Sequence, residues 1–155
     1  MTPPWAAVIG VGNEFRRDDG IGPAVAAEVQ RREIPGVRMM ISQGEPAGLL
    51  DAWTGMRLTV VIDAVLCEPS APGRFHRSSV DELALASSPP GTHGWGVPEA
   101  VNLGRVLDRM PRQLIIYTVE VQDVSIGLGL SSSITATLPV LVDAVVGELD
   151  RARAA

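Results

Sequence analysis

The sequence predicts an α/β fold, a three-layer α/β/α sandwich around a mixed, mostly parallel five-stranded sheet. Three observations predict it. Short continuous apolar runs recur along the chain, as buried parallel strands require. Amphipathic stretches of helical period alternate with them. One charged, alternating segment near Arg74 fits an antiparallel edge strand, which makes the sheet mixed.

The elements follow in order. Ala6–Val11 is wholly apolar and reads as the first strand. Ile21–Arg32 sets Ile21, Ala24, Val25 and Val29 on one helical face, with Pro23 in the first turn, where its missing N–H costs little. Val37–Ile41 is the second strand and Pro46–Trp53 a short helix. Leu58–Ile62 is the clearest buried strand and ends on Asp63. Arg74–Ser78 is the edge strand, and Ser87–Gly96 is loop by its proline and glycine content. Pro98–Met110 returns to helix and Leu114–Val121 to strand. Ser131–Arg151 closes the chain as a long helix containing Pro139. No repeat or linker divides residues 1–155, so a single domain is expected.

Composition narrows the function. The chain is 46% hydrophobic and 20% charged, the balance of a globular protein. A net charge of −5 with no basic cluster argues against nucleic acid. Cys67 is the one cysteine, which excludes an internal disulfide and fits a reducing cytoplasm. No basic n-region opens the chain, and no uninterrupted apolar run approaches the ~18 residues of a membrane span. A cytoplasmic monomer is the expectation.

The stretch Gly10–Gly22, GVGNEFRRDDGIG, joins a strand to a helix through a glycine turn that carries two aspartates. Open α/β sheets gather ligands beyond the carboxyl ends of their strands. Asp18 and Asp19 lie past the first strand and Asp63 ends the third, so they share a cleft if those strands are neighbours. His93, in Thr92-His93-Gly94-Trp95-Gly96, is the third candidate. Two carboxylates and an imidazole suit zinc or nickel more than calcium and leave positions open. Glu45, Glu120 and Asp123 are candidate supporting groups. Plainer roles stand beside these: an N-cap for Asp18 or Asp19, a turn for Asp63, a solvated loop for His93, surface for His76 and a small buried hydrophobe for Cys67. A dinucleotide loop is disfavoured, because Phe15 stands where GxGxxG needs its third glycine. A Walker loop is absent, since the chain has no lysine, and there is no GxSxG.

In four ordered stretches the chain resembles the hydrogenase maturation proteases. They are GVGNEFRRDDGIGPAVAAEV from Gly10, TVVIDAV from Thr59, THGWGVPEAV from Thr92 and YTVEVQDVSIGLGLSS from Tyr117. The resemblance implies a mixed five-stranded sheet between helices. It implies that Asp19, Asp63 and His93 bind metal, and that Asp19 rather than Asp18 is the acidic ligand. It implies an endopeptidase that reads nickel already loaded in the precursor of a nickel–iron hydrogenase large subunit and removes a short C-terminal peptide. Nickel then arrives with the substrate, and zinc or another divalent ion can substitute. The family often has Gly-Ile-Glu where this chain reads Thr118-Val119-Glu120. A non-enzymatic nickel-binding maturation factor is the alternative, and a nucleotide-binding domain a more distant one.

Overall fold

The computed structural model describes residues 3–79 and 96–155. Their strands are β1 (Ala6–Val11), β2 (Val37–Ser42), β3 (Leu58–Leu66), β4 (Phe75–Ser79) and β5 (Leu114–Val121). Their helices are α1 (Ile21–Arg31), α2 (Pro46–Trp53), α3 (Val97–Val106) and α4 (Ser132–Ala154), with a 3-10 turn at Arg17–Gly20. The sheet order is β2-β1-β3-β5-β4, parallel except for β4, which runs antiparallel to β5. The mixed sheet and its edge strand therefore stand as expected.

Alternation along the strands builds two cores. One face sends Val8, Val60, Ile62, Ile115 and Val119 against Ile21 and Val25 of α1 and Ile134 and Leu141 of α4. The other sends Ile9, Val11, Val61 and Ile116 against Leu49 and Trp53 of α2 and Val97 and Val101 of α3. This is the period-2 logic of strands applied to a sheet covered on both sides.

Several expectations need correction. β3 does not end on Asp63 but runs on to Leu66, because β5 supplies partners as far as Leu66 with Val121. Pairing with β1 does stop there, at Val11 with Asp63. α3 ends at Val106, short of Met110, where Asp108 turns left-handed at φ 55°. α4 passes for a membrane span by length and composition, yet Leu141, Val142, Val145 and Leu149 bury one face of it in the core. Its Glu148 sits only 5% exposed and accepts bonds from Tyr117 Oη (2.8 Å) and Arg77 Nε (2.5 Å). Burial alone would raise the pKa of Glu148, but the Arg77 and Tyr117 bonds bring it below the ordinary value. Tyr117 is pushed up to about 12 by burial and by the same carboxylate.

That network ties β4, β5 and α4 together. Glu148→Ala leaves the buried Tyr117 hydroxyl without its acceptor, so a loss of about 2–3 kcal/mol is expected in urea unfolding. The Arg77 contribution to that loss is small, because its guanidinium is half exposed.

Candidate functional site

Strand order reverses between β1 and β3. The chain leaves β1 through α1 towards β2 on one side, then returns through α2 to β3 on the other. Such a switch point opens a crevice at the carboxyl ends of the two strands. Beyond Asp63, β3 has β5 on one side and, among the described residues, no paired strand on the other. Asp63 is thus the last residue of β3 in register with β1, at the floor of that crevice.

Close packing brings Asp19 to it. At Gly12, which holds φ 142°, a Cβ would meet Asp19 O at 2.0 Å. At Gly10 a Cβ would stand 2.2 Å from Gly22 O, and at Gly22 one would stand 2.5 Å from Val11 O and 2.6 Å from Ile62 O. These glycines let the 3-10 turn and the start of α1 lie directly on β1 and β3. Gly10 is inside β1, so its work is close approach rather than turn formation. Asn13 Oδ1 then accepts from the Phe15 N–H (2.9 Å), and the Asn13 N–H donates to Asp19 Oδ2 (2.8 Å). The Asp19 carboxylate is thereby anchored to the turn that follows β1.

Asp63 senses the Asp19 charge. Burial first, and then the Asp19 charge, push the Asp63 pKa up to about 7, against a smaller lowering by the Ala64 N–H. A desolvated carboxylate facing a second one stores unfavourable energy that a cation relieves. Among the described residues no third His, Cys, Asp or Glu joins them to form a metal-binding group. His93 and Trp95 lie outside the described residues. The chain resumes at Gly96 and enters α3, whose Val97, Ala100 and Val101 pack on the sheet face that carries Val11 and Val61.

The two adjacent aspartates separate in role. Asp18 is 1% exposed and accepts from the Ser131 N–H (2.7 Å) and Ser131 Oγ (2.8 Å). It therefore fixes the start of α4 and does not cap its own helix.

The remaining candidates group elsewhere. Glu120, 8% exposed near the end of β5, accepts from His76 Nε2 (2.8 Å), the Ala71 N–H (3.1 Å) and Cys67 Sγ (3.3 Å). His76 lies on the surface as expected and is paired there, while Cys67 is a half-buried donor rather than an inert hydrophobe. Asp123 orders its own loop by accepting from Ser125, and Glu45 stands at the start of α2. Sequence reading missed the roles of Gly22 and Ser131. A glycine two residues after Gly20, within an otherwise good helix start, was the available signal for Gly22.

The Glu120 pKa lies at about 2, pulled down first by His76, then by the Ala71 N–H and Cys67. A depressed carboxylate stabilises the fold fully above its unfolded value near 4.5 and loses that contribution as pH falls towards 2. Between pH 5 and pH 3 the melting temperature of the wild-type chain is therefore expected to fall further than that of Glu120→Gln, measured by circular dichroism.

A family model described as "Hydrogenase maturation protease" matches residues 24–148, which include Asp63 and His93 but not Asp19. The chain is similar to the hydrogenase 2 maturation protease of Escherichia coli K12, with 24% identity over 145 residues, covering 92% of this chain and 88% of that one. It is similar in fold to the hydrogenase maturating endopeptidase HybD of E. coli, with a TM-score of 0.80 at 20% identity over 94% of this chain and 92% of that one. It is also similar to the [NiFe] hydrogenase maturation protease HybD of Thermococcus kodakarensis, with a TM-score of 0.73 at 21% identity over 93% and 97% of the two chains.

Proposed function

The chain belongs to the hydrogenase maturation protease family, and from that membership we propose that it removes a short C-terminal peptide from the nickel-loaded precursor of a nickel–iron hydrogenase large subunit. Endopeptidase action in hydrogenase maturation comes with the family; the nickel guidance, the cleaved segment and the site residues are our reading. The observation that carries it is the Asp19–Asp63 pair at the switch point, with Asp63 raised to about 7 by burial and by its neighbour.

In this reading nickel is the substrate's cargo. Asp19, Asp63 and His93 reach it and hold the precursor's tail against the cleft. Asp63 gives up its proton as the divalent charge arrives, since a coordinating carboxylate must be ionised. Asp19, held by the Asn13 N–H, needs no rearrangement. The metal polarises the scissile carbonyl or activates water. Zinc or another divalent ion serves where it replaces nickel in the precursor. A general base is still required, and Asp19 is our candidate for it, because Asp63 has already lost its proton to the metal's charge. The lone Cys67 fits a reducing compartment such as the cytoplasm.

The test is incubation of the purified chain with a nickel-loaded precursor, followed by intact-mass measurement. One new C-terminus and one released peptide are expected. Nickel binding without truncation would assign the chain to a non-enzymatic maturation role instead.

A further inference from the structure

A recess of about 230 Å³ opens on the α1 side of the sheet, walled by Pro23, Ala24 and Ala27 of α1, Ile41 of β2 and Leu128 of the loop after β5. It is smaller than the roughly 300–1,000 Å³ of small-molecule sites. Its lining is mostly apolar, and its charged residues, Glu14 and Arg17, are exposed. Ile41 is 58% exposed and Leu128 69%, and the nearby loops add Phe15 at 59% and Ile126 at 87%. Large side chains gathered in this way mark a surface that meets another apolar surface.

The loops that present them are tied together. The Gly127 N–H donates to Phe15 O (2.8 Å), the Arg17 N–H to Gly127 O (3.0 Å) and the Asp18 N–H to Asp123 O (3.1 Å).

β2 is an edge of the sheet among the described strands. An edge strand presents backbone donors and acceptors to an incoming chain. Along the α1 side of β2, Val37 and Met39 line a second recess of about 110 Å³ with Val29 and Ile34. Ile41 continues that alternation into the first recess. A strand laid on this edge places every second side chain about 6.6 Å apart, the spacing of these positions. The line runs to the turn that carries Asp19, because Gly20 of the recess adjoins Asp19, and Glu14 adjoins the Asn13 that holds it.

We propose that this recess and the free edge of β2 receive an extended apolar stretch of the precursor polypeptide, added as a further strand on its way to the cleft. The inference rests on the protease reading above and names how that site selects its substrate. Main-chain bonds to β2 supply affinity, and the recesses read alternate side chains.

The test compares precursor cleavage by wild type, Ile41→Arg and Leu128→Arg, with Val106→Arg as control, since Val106 is 82% exposed on α3. The two recess variants are expected to raise KM about tenfold or more with kcat within about twofold, while the control behaves as wild type. An unchanged KM, or a fall in kcat alone, overturns the proposal. Should the variants lose their fold by circular dichroism, amide exchange on the wild-type chain, mixed with nickel-loaded precursor and quenched before cleavage, decides. Residues 37–42 should exchange more slowly with precursor bound, and equal exchange overturns the proposal. Self-association without precursor that Ile41→Arg abolishes assigns the edge to a second copy and also overturns it. Failure of the wild type to cleave would strike the protease reading itself, whereas equal KM values strike only the recess.

Discussion

Asp63→Asn is expected to abolish cleavage while making the folded chain more stable at pH 8. The carboxyl stands at about 7 in the folded chain against 3.8 outside it. A raised acid is the reverse of a salt-bridged one. Its cost is absent below pH 3.8, grows as the group is forced to ionise, and is complete above pH 7. A shift of about three units is worth on the order of a few kcal/mol. Asparagine keeps the shape and removes the charge, so a rise of several degrees in melting temperature is expected at pH 8 and none at pH 3.5, at about 2–4 °C per kcal/mol. Cleavage should fall by a factor of about 100 or more, as for loss of an acid–base or charge-stabilising group. Stability gained where activity is lost is the signature of a site held against its own folding preference. Equal melting temperatures at pH 8 would mean that Asp63 does not face a second carboxylate out of water.

Gly10→Ala carries the second large effect. The new methyl would stand 2.2 Å from Gly22 O and 2.8 Å from Pro23 N, both backbone atoms with nowhere to turn. α1 must lift from β1, and the 3-10 turn with Asp19 moves with it. A loss of about 3 kcal/mol or more is expected, at the upper end of overpacking costs. Gly55→Ala is the natural control: its φ is 76°, but nothing lies within 4 Å of the added Cβ. It should cost about 1–2 kcal/mol, from left-handed strain alone. Urea unfolding of both variants separates the two contributions, and Gly10→Ala should also lose cleavage even where it stays folded.

Much of this was readable in the sequence, for identifiable reasons. β1, α2 and β5 were legible to the residue because their burial is continuous or cleanly periodic. β3 was read too short because its last residues, Val65 and Leu66, are exposed and owe their strand form to β5, a partner about fifty residues away. Asp19 and Asp63 were legible as a pair only through topology, since strand adjacency is a tertiary fact. The split between Asp18 and Asp19 could not be read locally at all. It depends on Ser131, which reaches Asp18 from the far end of the sequence. Cys67 was misjudged for the same reason, being claimed by Glu120 across the sheet edge.

The most direct test of nickel-guided cleavage uses one precursor in two forms, nickel-loaded and metal-free, each incubated with this chain and read by mass spectrometry. The account predicts loss of the C-terminal peptide from the loaded form alone. Equal truncation of the metal-free form would contradict it, because Asp19, Asp63 and His93 would then have no cation to read.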